Sequence, residues 1–162
     1  MIGGLFGTGK SSVAEEMATG LERDGLPYGA LDLDWLGWFD VGSDRTHERV
    51  WLENVRSVVR NYLEAGVRHF VMAGSFWTRE EVDTLRAALP FSLTFVELRV
   101  PWAEIERRLR STPTSGRLDD LREVRARVDS GPPLPRPDIT IDGDRPVGEV
   151  AAEIRRTLGW TA

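Results

Sequence analysis

Apolar residues recur along the chain in two alternating rhythms. The first is helical. Val13, Met17 and Leu21, with Ala14 and Ala18 beside them, form one stripe, and Gly25 stands where a helix C-terminal glycine is expected. The second is extended. Tyr28-Gly29-Ala30-Leu31-Asp32-Leu33-Asp34 reads as a short strand ending in two acids. An aromatic-rich turn, Trp35-Leu36-Gly37-Trp38-Phe39, and a polar stretch over 40–45 lead into a second helix, over about 47–65. Trp51, Val55, Val58, Val59 and Tyr62 line one side of that helix, and Gly66 ends it. Residues 68–73 are apolar enough for a strand buried on both faces.

The alternation continues to the end. Thr78-Arg79-Glu80-Glu81 is a capping box that opens a helix ending near Leu89-Pro90. Residues 93–98 read as a strand, and Pro101 suits the first position of a helix over 102–110. An arginine-rich segment over about 111–130 holds a helix at 118–128 and forms a short lid. Residues 139–142 make a last strand, and a closing helix over 146–158 stops at Gly159. Strands alternating with helices predict a three-layer α/β/α fold on a parallel sheet, in one domain spanning 1–162. Right-handed crossovers place the C-terminal ends of the strands on one edge, where ligands bind.

Composition narrows the classes. A net charge of −5 does not suggest a nucleic-acid partner. The absence of cysteine removes disulfides, thiolate zinc sites and thiol nucleophiles, and is compatible with a cytoplasmic protein. No apolar run approaches the roughly 20 residues of a membrane span, and no signal-peptide pattern opens the chain. The Pro-rich patch at 131–137 reads as a stiff connection. His47 and His69 are isolated. His47 reads as a helix-start residue and His69 as packing in or beside a strand.

The chemistry concentrates in Gly4-Leu5-Phe6-Gly7-Thr8-Gly9-Lys10-Ser11, which fits the phosphate-binding loop pattern. Glycines free the backbone so that consecutive N–H groups turn toward phosphate oxygens, and the helix that follows adds partial positive charge. Gly4, Gly7, Thr8, Gly9, Lys10, Ser11 and Ser12 are therefore the nucleotide-binding set. Lys10 reaches the β/γ-phosphates and the Ser11 hydroxyl ligates Mg²⁺. Lys10 is also the only lysine in the chain. Only Met1, Ile2 and Gly3 precede the loop, so either the first strand is a stub or the true start lies upstream.

Three classes of protein use such a loop: switch GTPases, motion- or assembly-driving ATPases, and small-molecule kinases. No guanine-reading Asn-Lys-x-Asp exists, since the sole lysine is in the loop, and there is no glutamine to orient an attacking water. The strand over 70–73 ends in Gly74-Ser75 rather than a metal-binding acid. A kinase remains. Asp32 and Asp34, two apart, would share one side of a persisting strand and serve the acceptor hydroxyl and the metal, or else act as cap or turn acids. Arg107, Arg108, Arg110 and Arg117 are candidates to neutralise the transferring phosphate, with Arg110 and Arg117 favoured. Trp35, Trp38 and Phe39 read equally as a pocket wall or as core.

These marks, with the segments 95–98, 106–110, 116–118 and 139–142, resemble the P-loop small-molecule kinases of the nucleoside-monophosphate-kinase superfamily, especially the shikimate/gluconate/adenylylsulfate kinase-like branch. The resemblance covers nearly the whole chain and implies a five-stranded sheet of order 2-3-1-4-5. It implies that Asp34 contacts the acceptor hydroxyl and that Asp32 lies near Mg²⁺ or serves the same hydroxyl. It also implies that Arg110 lies against the adenine of ATP and that Arg117 reaches from the lid to the phosphates. The sequence departs from the pattern in its short first strand, in Gly74-Ser75, in a lid without dense arginine pairs, and in lacking a clear substrate-carboxylate arginine, for which only Arg56 and Arg60 are candidates. The expectation is an ATP- and Mg²⁺-dependent phosphotransferase acting on a small hydroxyl-bearing metabolite, nucleotide or antibiotic-like acceptor, as a monomer or homodimer. A nucleotide-binding regulatory protein, or degenerate kinase, that binds ATP without transfer is the alternative, and a plain NTPase is a third.

Overall fold

A computed structural model describes every residue except 41, 43, 112–113, 131–134 and 162. Five strands, β1 (Ile2–Gly3), β2 (Tyr28–Asp32), β3 (His69–Ala73), β4 (Val96–Arg99) and β5 (Ile139–Asp142), form one sheet. The order is β2-β3-β1-β4-β5 and every pairing is parallel, as expected. The helices are α1 (Lys10–Arg23), α2 (Leu33–Leu36), α3 (Asp44–Glu64), α4 (Arg79–Ala88), α5 (Trp102–Ser111), α6 (Ser115–Ser130) and α7 (Val147–Thr157).

The two-residue period of a strand builds two cores from one sheet. On β3, Val71 and Ala73 join the core beneath α1 and α7, with Val13, Met17, Leu21, Val150 and Ile154. Phe70 and Met72 face the other way, toward Val55 and Val59 of α3 and Val82 and Leu85 of α4. Each such aliphatic side chain, wholly removed from water, stabilises the fold by about 1.5–3 kcal/mol. The central strand β1 is only two residues long, yet Ile2 pairs with both Ala73 and Val96. A third cluster sits at the ligand edge. Ile105 and Leu109 of α5 and Leu121 and Val124 of α6 pack against Leu5, Phe6, Trp77 and Trp102.

The structure departs from the pattern-based reading in four places. The helix expected from about residue 47 begins at Asp44, which puts His47 inside it. The strand expected to run through Asp34 stops at Asp32, because the Asp32 carboxylate accepts the Asp34 N–H at 3.1 Å and caps α2. Asp32 and Asp34 are therefore not two same-side residues of one strand. The helix expected at 118–128 begins earlier, at Ser115, and runs to Ser130. The strand expected from 93 begins at Val96. The capping box at Thr78 is present as read, with Thr78 and Glu81 bonding reciprocally. Most of the Pro-rich patch, and positions 112–113 of the expected lid, lie outside the described residues. Among the described residues no helix is long and apolar enough to cross a membrane.

Candidate active site

The loop between β1 and α1 takes its shape from glycine. Gly7 and Gly9 have φ of 82° and 93°, where a side chain is strained, and a Cβ on Gly7 would stand 3.0 Å from Leu109 Cγ. Thr8 is buried and folds the loop on itself, its hydroxyl donating to the Leu5 carbonyl at 2.9 Å. Gly9 caps α1 without any side-chain bond, and the first backbone bond of the helix runs from Val13 N–H to Gly9 C=O at 3.0 Å. The amides of Lys10, Ser11 and Ser12 lie ahead of it as the orphan donors of a helix start. That is the arrangement that binds phosphate.

Lys10 is 7% exposed. Its ammonium donates to the Leu5 carbonyl at 3.1 Å and lies 5.3 Å from the centre of the Phe6 ring. Burial lowers its pKa, and the charges of Asp34, Asp32 and Asp120 oppose that fall. Asp120 was not singled out from sequence. It is on α6, and burial raises its pKa, with the Arg117 and Lys10 charges pulling the other way. Its signal in the sequence was one acid among many on a polar helix.

Both acids after β2 touch the machinery. Asp32 accepts the Ser11 hydroxyl at 2.9 Å through one carboxylate oxygen while the other caps α2. It is thus a cap and a loop partner at once. Ser11 and Asp32 offer the hydroxyl and carboxylate oxygens that Mg²⁺ takes when phosphates complete its shell. Among the described residues no group of three or more histidines and acids could hold a metal by itself. Asp34, in the first turn of α2, accepts the Ser75 N–H at 3.0 Å and the Ser75 hydroxyl at 3.2 Å. Ser75 follows β3, so Asp34 bridges two strand ends at the ligand edge.

Of the four arginines singled out from sequence, Arg108 reaches the loop. It donates to the Thr8 carbonyl at 3.3 Å and is held by Glu104 at 2.6 Å and Asp144 at 3.4 Å. Arg107 pairs with Glu104 at 2.6 Å. Arg110 pairs with Glu106 at 2.9 Å and flanks a small hollow against α6. Arg117 is exposed in the first turn of α6, with its charge near Asp120.

Beside Asp34 opens a cavity of about 730 Å³ between the loop, α2, α3 and α4. Phe6, Trp51, Phe76 and Trp77 supply aromatic walls, with Phe6 and Trp77 rings 5.7 Å apart. Trp51 donates its indole N–H to the Leu33 carbonyl at 2.9 Å, so it turns only its ring to the cavity. Trp77 is gripped from α6, where Arg127 donates to its carbonyl and stacks 5.6 Å from its ring. The aromatics that seemed candidates for this wall are elsewhere. Trp35 and Trp38 are 66% and 75% exposed with their rings tilted at 45° to one another, and Phe39 stacks on His47. His47 bonds the Gly37 carbonyl at 2.8 Å and lines the cavity, while His69 lies in β3 with its ring against Trp160.

No family model and no curated protein matches the chain. Solved structures do. The unliganded sugar kinase from Janibacter sp. HTCC2649 is 20% identical, covers 99% of this chain and 93% of its own, and superposes with a TM-score of 0.71. The APS kinase CysC from Mycobacterium tuberculosis, solved with AMPPNP and APS, is 24% identical over 98% of this chain and 95% of its own, at a TM-score of 0.65. A gluconokinase from Sinorhizobium meliloti 1021 is 21% identical over 98% and 94%, at 0.57.

Proposed function

We propose that this chain, whose fold is that of the P-loop small-molecule kinases, is an ATP-dependent phosphotransferase that moves the γ-phosphate of ATP to a hydroxyl of a small acceptor. One observation carries the reading. A phosphate loop with a buried lysine adjoins an open, aromatic-walled cavity, and an acid, Asp34, stands at the junction. The loop alone argues only for a nucleotide. The adjoining cavity argues for a second small molecule, as transfer requires.

In this reading Gly4, Gly7, Thr8 and Gly9 shape the loop, and the amides up to Ser12 bind the triphosphate. Lys10 trades its Leu5 carbonyl for the β- and γ-phosphate oxygens. Ser11 and Asp32 would hold Mg²⁺, which would offset phosphate charge. Asp34 accepts the hydrogen bond of the acceptor hydroxyl and aims its oxygen at the γ-phosphorus. The new O–P bond forms as the bond from the γ-phosphorus to the β,γ-bridging oxygen breaks, the hydroxyl proton passes to Asp34 and from there to solvent, and ADP leaves. Arg108 lies nearest the loop. Arg110 at the adenine side and Arg117 from α6 join on closure, with residues 111–130 as the lid. Acting on a small molecule, the protein works in the cytoplasm as a monomer or homodimer.

A second reading has one observation of its own. β3 runs into Gly74-Ser75, with no acid there to steady the metal. That favours a protein that binds ATP without transferring phosphate. Titrating ATP and then screening hydroxyl compounds for ADP release separates the two. Lys10→Ala should abolish acceptor-dependent ADP release while leaving the circular dichroism and melting transition intact; unchanged turnover would sink the assignment.

A further inference from the structure

The cavity beside Asp34 has a charge, and its charge has one sign. Four carboxylates line it: Asp34, Glu48, Glu80 and Glu81. Among the described residues no arginine or lysine lines it. Arg56, a sequence candidate to bind a substrate carboxylate, is instead spent on Glu53 at 2.7 Å and lies outside the lining, as does Arg60. Two of the acids are occupied. Asp34 holds Ser75, and Glu81 accepts the Trp77 and Thr78 amides at 2.7 and 3.1 Å. Among the described residues Glu48 and Glu80 have no bond of this kind, and both residues are exposed.

The apolar walls point the same way. Indole and phenyl faces attract cations, and the Trp51 N–H is already used on the Leu33 carbonyl, so it offers no donor to an anion. A negatively charged substituent here would meet like charge, since the cations nearest the walls, Lys10 at the Phe6 ring and Arg127 at the Trp77 ring, are not among the lining residues. An ammonium would meet carboxylates and ring faces together.

We infer that the acceptor is a hydroxyl compound with no anionic group, and that one bearing an ammonium is taken in preference to its neutral or carboxylated counterpart. This rests on the kinase reading of the same site and adds the substrate's charge class to it.

The test uses three ring alcohols that differ in one substituent: 4-(aminomethyl)benzyl alcohol, 1,4-benzenedimethanol and 4-(hydroxymethyl)benzoate. Binding to the chain loaded with a non-hydrolysable ATP analogue is read by calorimetry, and ADP release is read separately with ATP. The expected order is ammonium, then neutral, then carboxylate, with about tenfold or more between the first and last. In Glu48→Gln/Glu80→Gln, checked for folding by its melting transition, that gap should narrow. Equal or tighter binding of the carboxylate overturns the inference, as does a gap untouched by the double substitution, or no binding of any of the three. Should the carboxylate drive ADP release, the kinase reading survives and the inference falls. Should the ammonium compound bind tightest while no hydroxyl compound of any class releases ADP, the charge preference stands and the kinase reading falls.

Discussion

Asp34 shows how much one side chain can be asked to do. Its two contacts with Ser75 spend one lone pair on each oxygen, and each oxygen keeps another free for an incoming hydroxyl. Phosphoryl transfer needs that hydroxyl aimed more than it needs it deprotonated. Asp34→Asn keeps the shape but loses the charge and one acceptor. It should lower kcat by about a hundredfold and leave the affinity for ATP nearly unchanged. Kinetics within a few-fold of the parent would reassign Asp34 to holding Ser75. The position of Asp34 was legible from sequence, but its conformation was not. A single-turn helix such as α2 has no room for a periodic pattern, and what starts it is a side-chain bond from Asp32 that no apolar spacing reveals. The same bond bears out the cap reading of Asp32, and because a carboxylate has two oxygens the second one is left to meet the Ser11 hydroxyl.

At the scale of an element, α5 behaves as a bracket for the phosphate loop. Its inner side presses Ile105 and Leu109 on the loop, and Arg108 ties down the Thr8 carbonyl. Glu104 anchors the bracket. Hydrogen bonds from Arg107, then from Arg108, hold its carboxyl below the ordinary 4.5, at about 2. A carboxyl whose pKa is depressed on folding stabilises the fold above its unfolded value and ceases to do so as pH falls through its folded value. The parent should therefore be more stable than Glu104→Gln at neutral pH, and the difference should fade as pH drops from about 4.5 toward about 2. Melting curves of the pair across that range measure it; a constant difference would show that the Glu104 charge contributes nothing. Helix α6 was the hardest element to read. Leu121 and Val124 bury against α5 while most of its surface is charged, so the apolar stripe is too thin to mark its ends or to flag Asp120.

At the scale of the molecule, the alternation of strands and helices and their layering were legible because they follow from short-range patterns: an apolar run at β3, stripes on α1 and α3, glycine stops; the strand order came from the family resemblance alone. The cavity was not. Its walls come from the loop, α2, α3 and the start of α4, more than seventy positions apart between Phe6 and Trp77. In the sequence Trp51 belongs to a helix's apolar side and Trp77 to the approach to a capping box; only the crossovers bring them together. Neighbouring aromatics in sequence, Trp35 and Trp38, proved a poor guide for the same reason.

The solitary lysine has a consequence for anyone wishing to watch this site at work. Apart from His47 and His69, every other basic side chain is arginine, inert toward acylating reagents, so an ATP derivative carrying a reactive acyl phosphate has a single side-chain amine to modify. Burial lowers the pKa of that amine and enlarges its free-base fraction. Mass spectrometry of the labelled chain should find one acylated lysine, in the peptide around Lys10, and excess ATP should suppress it. A label that ATP fails to suppress would mean that the nucleotide docks elsewhere. Because there is no second lysine to dilute the signal, the extent of labelling would report occupancy of the phosphate loop directly, in a purified sample or a crude extract, before any acceptor has been identified.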